Sequence, residues 1–245
     1  MEFGFCPKCR YKLYGEYKYC PDCGKILSPD ESEAAAEEEL DEAARLWEIG
    51  SYREASKIYY KYAQEGNARA QKMVGGEYSS GIDGHYAYQA AFLQYQHAAE
   101  QGYTPAIYIM GYCYEFGEGV SRDVQQAVHW YQRAAELGHV HALYCIGQLY
   151  EKGGNGLEQD LVQAANWYTQ AAERRDGSAM YRLGELYESG TGVAMDLSKA
   201  TYWYKEAVSV YGSSAKTRLK ELKSKGCKEA ELALENLSKK HGANI

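Results

Sequence analysis

Proline is scarce in this chain, with 4 residues in 245, and phenylalanine is equally rare. Because proline interrupts helices and alanine is frequent, this composition favours helix over sheet. No run of about 18 apolar residues occurs, so the sequence predicts no membrane span. Basic residues number 27 against 34 acidic ones, and the net charge of −7 argues against the basic face that nucleic-acid binding normally requires.

A secretory signal pattern is also missing, because the first residues lack a charged segment followed by an apolar one. We therefore expect a cytoplasmic protein. What the chain contains in excess is tyrosine, with 25 residues against 4 phenylalanines. Tyrosine has an apolar body and a polar tip, which suits a thin structure whose side chains lie near water.

Four of the seven cysteines form two C-x2-C pairs separated by ten residues. They are Cys6, Cys9, Cys20 and Cys23. Each pair can present two thiolates to one tetrahedral metal, and the spacer is long enough for a β-hairpin that returns the second pair to the first. We predict a zinc ribbon over residues 1–27 with a structural Zn²⁺, because all four ligands come from the protein and so short a unit cannot bury a sufficient core.

Two alternatives for this segment stay open. Four thiolates also suit iron, as in rubredoxin-like sites. A ribbon can also contact nucleic acid, but here its basic and acidic residues together with a Zn(Cys)4 centre sum to about zero charge, so no net field attracts phosphates. Nucleic acid is therefore an unfavoured partner.

A Trp-Tyr pair recurs along the chain at intervals of 37 and 36 residues. The pairs are Trp130-Tyr131, Trp167-Tyr168 and Trp203-Tyr204. Earlier in each unit an alanine, a glycine and a tyrosine keep the same interval. They are Ala70, Gly75 and Tyr78, then Ala106, Gly111 and Tyr114, then Ala142, Gly147 and Tyr150, then Ala179, Gly184 and Tyr187. Such a period indicates stacked copies of one supersecondary unit rather than a single enzyme-like core.

Each unit is predicted to be an αα-hairpin. The alanine, glycine and tyrosine share one face of its first helix, and the glycine is expected to admit a close neighbour. A Gly-x-Gly loop ends that helix. The second helix begins at an aspartate N-cap (Asp123, Asp160 or Asp196), with Ser51 in the same role in the first unit. Alanines and the Trp-Tyr pair then form the apolar stripe that the next hairpin covers.

The predicted domains are the ribbon (1–27) and an all-α solenoid (28–245). The solenoid consists of an opening pair (33–66), four repeats (67–102, 103–138, 139–176 and 177–212) and a closing pair (213–241). The closing pair lacks both the glycine loop and the tryptophan and is rich in lysine, as a polar solenoid end requires.

The combined pattern, A-x3-[LIM]-G-x2-Y-x2-G-x-G-[VL] followed by D-x3-A-x2-W-Y-x2-A-A-x2-G, resembles the Sel-one-like repeat family, a relative of the tetratricopeptide repeats. The repeat over residues 67–102 departs from this pattern at Asp83, Ala87 and Gln94. The resemblance implies a right-handed superhelix that acts as a non-catalytic adaptor for proteins or peptides. Some secreted members carry two cysteines in each repeat as disulfides. Here Cys113, Cys145 and Cys227 lie at non-equivalent positions, so we expect buried thiols and a reducing compartment.

The resemblance also places the first helices on the inner, concave side. The candidate partner-binding residues there are Tyr108, Tyr112, Tyr144, Gln148, Tyr181 and Glu185. Tyrosine offers large contact area at a low ordering cost, which suits recognition of a protein segment. The alternative is that these tyrosines pack between adjacent repeats.

An enzyme is not expected from the remaining residues. The six histidines recur at no common position beside a cysteine or serine, and His139 and His141 are expected to be solvated at a turn between repeats. The glycine loops follow helices and lack the lysine of a phosphate-binding loop. Self-association stays possible, because the acidic start of the solenoid and its basic end are complementary, but nothing further supports it.

Overall fold

The structure is a computed structural model, and it describes residues 31–81 and 87–242. The predicted zinc ribbon, with Cys6, Cys9, Cys20 and Cys23, lies outside the described residues, as does Asp83 of the second repeat. The regular structure within the described ranges is helical, apart from one isolated bridge between Gly154 and Leu157. The all-α class predicted from the composition and the period is therefore confirmed for this part of the chain.

The chain divides into two compact units, residues 1–139 and 140–245. The described part of the first unit contains α1 (Glu31–Glu48), α2 (Tyr52–Gln64), α3 (Ala68–Ser80), α4 (Tyr88–Glu100), α5 (Thr104–Phe116) and α6 (Val124–Glu136). The second unit contains α7 (Val140–Lys152), α8 (Leu161–Glu173), α9 (Gly177–Ser189), α10 (Leu197–Ser224) and α11 (Lys228–Gly242). Within each unit every helix packs on the next one in the chain, as a solenoid of hairpins requires.

Aspartate caps begin the second helices of the later repeats, as predicted. Oδ1 of Asp123, Asp160 and Asp196 accepts a hydrogen bond from the backbone N–H three residues later at 3.0, 2.8 and 3.0 Å. Ser51 stands at the N-cap of α2, as predicted, but its side chain makes no capping hydrogen bond. The reason is local. Asp123 has an extended backbone, from which an N-cap side chain reaches the N3 amide. Ser51, with a ψ of 56°, does not have this conformation.

The repeated glycines lie against tyrosine rings of the following helix. A Cβ atom at Gly147 would lie 2.6 Å from Cε1 of Tyr168, and one at Gly184 would lie 2.7 Å from Cδ1 of Tyr204. The close approach predicted for these glycines is confirmed, and the neighbour is a side chain. Because glycine has no Cβ atom, the tyrosine ring can pack directly against the helix backbone at this position.

The tyrosine is the buried member of each Trp-Tyr pair. Tyr131, Tyr168 and Tyr204 are at most 1% exposed, whereas the three tryptophans are only half-buried. The expectation that the indoles are buried is therefore wrong. The space above each repeated glycine, here called the glycine seat, holds only one ring, and the tyrosine fills it. Tyr95 occupies the same seat at Gly75, so the second repeat keeps its packing although Gln94 replaces the tryptophan.

The last repeat runs directly into the closing pair. Helix α10 has 28 residues and contains one non-helical position, Gly212, with φ 46° and ψ −107°. This bend separates the part that carries Tyr204 from the part that carries Leu219, both of which are buried. The closing pair therefore consists of the second part of α10 and α11.

Candidate partner-binding face

The six candidate residues occupy three first helices. Tyr108 and Tyr112 lie on α5, Tyr144 and Gln148 on α7, and Tyr181 and Glu185 on α9. The spacing of four residues places the two members of each pair on one face of their helix, one turn apart. The first pair belongs to the first unit and the other two pairs to the second unit.

The first tyrosine of each pair is half-buried and packs inward. The ring centroid of Tyr108 lies 5.4 Å from that of the buried Tyr131, and the pairs Tyr144–Tyr168 and Tyr181–Tyr204 are separated by 5.4 and 5.5 Å. These three tyrosines therefore contribute to packing inside the hairpin, and only part of each ring faces outward.

A second ring stacks on each of these tyrosines. His139 lies 4.2 Å from Tyr108, His141 lies 5.2 Å from Tyr144 and Tyr211 lies 5.3 Å from Tyr181, centroid to centroid. The two histidines, which were expected to be solvated, are half-buried, because His139 covers a face of Tyr108 on α5 and His141 covers a face of Tyr144 on its own helix α7. This stacking has no signal in the repeat period, since histidine does not recur at these positions in the other repeats.

His141 is also held by an acidic partner. Its Nδ1 lies 2.8 Å from Oδ2 of Asp176, whose other oxygen accepts a hydrogen bond from the N–H of Ala179 and caps α9. Hydrogen bonds to Asp176 and Cys145 raise the pKa of His141 to about 10, although burial acts in the opposite direction. The imidazole therefore carries a positive charge at neutral pH.

A repeated tyrosine–glutamate contact lies beside the glycine seats. The hydroxyl groups of Tyr131, Tyr168 and Tyr204 donate hydrogen bonds to Glu115, Glu151 and Glu188 at 2.9, 2.6 and 2.9 Å. These glutamates were not predicted from the sequence. Their spacing of 36 and 37 residues was the signal that could have found them.

Arginines complete this contact in the second unit. Arg182 forms an ion pair with Glu151 and a second one, at 2.7 Å, with the candidate residue Glu185. Arg218 likewise binds Glu188 at 2.9 Å. Burial tends to raise the pKa of Glu151, but hydrogen bonds from Arg182 and Tyr168 outweigh it and lower that pKa. Glu185 therefore presents a paired carboxylate at the surface.

The most exposed candidate is Tyr112, with 38% of its surface accessible. Phe116, one turn later on α5, is 55% exposed, and the two ring centroids lie 4.5 Å apart. Two adjacent exposed aromatic rings form an apolar patch on a helix that otherwise packs well. Phe116 was not among the residues predicted from the sequence, although its i, i+4 relation to Tyr112 would have indicated it.

Two clefts in the first unit lie outside the predicted face. One, of about 800 Å³, follows α2 and is lined mainly by Tyr52, Arg53, Ser56, Lys57, Tyr60 and Lys61. The other, of about 270 Å³, lies between α1, α2, α3 and the start of α5 and is lined by Arg69 and Lys72 among others. Neither cleft was predicted, because both depend on how side chains of different helices meet.

The cysteines of the described region are buried thiols, as expected. Cys113, Cys145 and Cys227 are all buried, and burial raises the pKa of the Cys113 thiol to about 12. Within residues 31–81 and 87–242 no three histidine, cysteine or acidic side chains are grouped as metal ligands. Among the helices of those ranges, none has the length and apolar character to span a membrane.

Comparisons with known proteins identify the repeat. The Sel1 repeat family model matches residues 104–139, 140–176 and 177–209. A Sel1 repeat protein from Oxalobacter formigenes is similar in structure, with 32% identity, coverage of 74% of each chain and a TM-score of 0.63. An immunity protein from Pseudomonas aeruginosa, Pa5087, gives 26% identity and a TM-score of 0.51 over 78% of this chain and 70% of its own.

A longer protein is also similar. The protective antigen c5321 of uropathogenic Escherichia coli strains, which displays an SLR fold, has 34% identity and a TM-score of 0.64 over 70% of this chain. The chain spans 36% of the length of that antigen. No curated protein sequence matches.

Proposed function

The chain belongs to the Sel1 repeat family, and on that basis we propose that it is a non-catalytic adaptor that binds a segment of a partner protein on its first helices. Sel1 repeat proteins generally mediate protein–protein interactions. The proposed contact residues are Tyr108, Tyr112, Tyr144, Gln148, Tyr181 and Glu185, extended by Phe116.

The exposed pair Tyr112–Phe116 is the observation that carries this proposal. Aromatic residues are enriched at the centres of protein interfaces, because they bury a large area with few rotatable bonds. The second unit carries polar groups on the equivalent faces of its own first helices. They are the Gln148 amide, which donates to the Tyr144 hydroxyl at 3.1 Å, and the Arg182–Glu185 pair.

The test compares partner capture by matched variants of the full chain. Tyr112→Glu places a charge in the aromatic patch, and Val162→Glu places the same charge at an exposed apolar residue of the second helix α8. We expect proteins retained by the wild type to be lost with Tyr112→Glu and kept with Val162→Glu, at unchanged thermal midpoints. Retention of every partner by both Tyr112→Glu and Tyr181→Glu would contradict the proposal.

The zinc ribbon is a second part of the proposal. The two C-x2-C pairs support a structural Zn²⁺ held by Cys6, Cys9, Cys20 and Cys23. Metal analysis of the purified protein should find one zinc per chain and none after Cys20→Ser with Cys23→Ser. Iron in place of zinc would point to the rubredoxin-like alternative. A cytoplasmic location, proposed from the absence of repeat disulfides, would keep these thiols reduced.

A further inference from the structure

Lys72 occupies the helix position that holds a tyrosine in the three following repeats. It lies two residues after the repeated alanine Ala70, as Tyr108 lies two residues after Ala106. Tyr144 and Tyr181 follow the same rule. In those helices the ring packs on a buried tyrosine and on a second stacked ring. A lysine cannot form that stack, and a cleft of about 270 Å³ lies beside it.

The cleft has rigid aromatic walls. Tyr59 and Tyr103 are 1% and 3% exposed, so neighbouring atoms fix both rings. Trp47 packs edge-on against Tyr59 at 6.3 Å between centroids. The remaining lining residues are Ala44, Glu48, Arg69, Lys72, Met73 and Pro105. The volume corresponds to about nine waters at roughly 30 Å³ each, which is enough for a side chain or a small organic acid.

The two cations of the cleft differ in what they bind. Arg69 is saturated, because it donates to Glu37 and Asp41 at 2.8 Å each and to the carbonyl oxygen of Leu40 at 3.4 Å. These contacts fix the guanidinium and neutralise it. Its role is therefore to hold α3 against α1.

The ammonium group of Lys72 lacks such partners. Its one contact is a weak one to Sδ of Met73 at 3.8 Å, and no carboxylate of residues 31–81 or 87–242 forms an ion pair with it. Glu48 lines the cleft but is exposed to solvent. Burial, with a smaller effect of the neighbouring Arg69 charge, lowers the pKa of Lys72. Lys72 is partly exposed at the open cleft, and its ammonium has three N–H donors for which no protein oxygen of the described residues is an acceptor.

We propose that this cleft binds a carboxylate, which accepts hydrogen bonds from Lys72 while the apolar part of the ligand lies against the partly exposed Trp47 and Met73. A carboxylate supplies both the charge and the acceptors that the ammonium lacks, and charge-assisted hydrogen bonds of this kind are the strong ones. Tyr59 and Tyr103 lie almost fully buried beneath these side chains and keep the cleft in shape. The carboxylate can come from a free organic acid or from a peptide terminus. This site is independent of the proposed adaptor face on α5, α7 and α9.

The test follows Lys72 directly in the full chain labelled with ¹³C at the lysine ε-carbon. Sodium benzoate, N-acetyl-Ala-Phe and its carboxy-terminal amide are added separately, and Lys72→Arg assigns the resonance. We expect a Lys72 shift with benzoate or the free peptide acid and none with the amide. A response to benzoate alone supports a free acid as the source, and a response to the peptide acid alone supports a chain terminus. No shift with either acid would overturn the proposal.

A matched pair of variants separates binding from folding. Lys72→Met keeps the length of the side chain and removes its charge, and Lys57→Met does the same on α2, outside this cleft. Calorimetric titration should show at least tenfold weaker acid binding by Lys72→Met and unchanged binding by Lys57→Met. Lys72→Met should also melt no lower than the wild type, because Lys72 forms no ion pair with the described residues that the substitution would break. Equal acid affinity in both variants would contradict the assignment.

Discussion

In hairpins α3–α4 and α7–α8 a tyrosine of the second helix packs on the equivalent glycine of the first helix. Different polar groups surround the two tyrosine rings. In the earlier hairpin the hydroxyl of Tyr95 meets Ser79 at 3.1 Å. In the later one the hydroxyl of Tyr168 meets Glu151, which also binds Arg182. The apolar contact is thus kept where the polar ones change. This difference indicates that the ring on the glycine specifies the hairpin, whereas the polar positions around it can vary.

The largest effect is expected from filling the glycine seats. Gly75→Ala and Gly147→Ala would each bring a Cβ to 2.6 Å from a buried tyrosine ring. Overpacking of this kind costs about 1–3 kcal/mol. Gly76→Ala is the control, because open space surrounds that position and alanine favours helix by roughly 1 kcal/mol. Urea unfolding midpoints should fall for the first two variants and rise for the third. A loss in only one of the two hairpins would show that the seat is not shared.

Breaking the ion pair of the later hairpin should cost less. Arg182→Met leaves the half-buried Glu151 without its cation, and we expect a loss of about 1–2 kcal/mol. Arg45→Met, which removes an exposed pair with Glu42, should change the stability by less than about 0.5 kcal/mol.

The pH dependence of this loss has a defined sign. The folded state lowers the pKa of Glu151 from an ordinary value of 4.5. The ion pair therefore stabilises the fold fully above pH 4.5, and this stabilisation is lost as the pH falls through the lowered pKa of Glu151. A penalty for Arg182→Met that persists at pH 2 would contradict the ion-pair explanation.

The N-caps of α6 and α2 should differ in their contribution to stability by a smaller amount. Asp123→Ala removes a capping hydrogen bond of 3.0 Å from α6 and should destabilise the protein by about 1 kcal/mol. Ser51→Ala removes no such bond from α2 and should cost at most a few tenths of that. Thermal unfolding at matched protein concentration compares the two variants. Equal losses would mean that Ser51 caps α2 in solution.

The smallest effect concerns His141. Its pKa of about 10 lies above the ordinary 6.5, so its bond to Asp176 stabilises fully below about pH 6.5 and is lost as the pH rises through 10. Because the imidazole is 42% exposed, screening limits the effect to about 1 kcal/mol or less. His141→Phe retains a ring for stacking on Tyr144 and should flatten the difference in unfolding midpoint between pH 7 and pH 10.

The sequence predicted features that depend on spacing within one hairpin. The period predicted the helices, Asp123 and its equivalents predicted the caps, and the repeated glycines predicted a close contact. Burial was predicted for both members of the Trp-Tyr pair, because an apolar stripe with the spacing i, i+3/i+4, i+7 accepts either position. Which of them reaches Gly147 depends on the rotation of α8 against α7, and the period does not contain that angle.

By itself, the sequence determined the repeat unit, the class of fold and the cysteine pattern of residues 1–27, because helix periodicity and ligand spacing are local. Tertiary structure alone decided which groups from different hairpins meet. Arg182 reaches Glu151 across 31 positions, and Arg69 reaches Glu37 across 32. The Lys72 cleft likewise forms from four separate helices, α1, α2, α3 and α5. Such contacts depend on the stacking distance and angle between hairpins. The packed rings set this geometry, and it cannot be read from the order of residues along one helix.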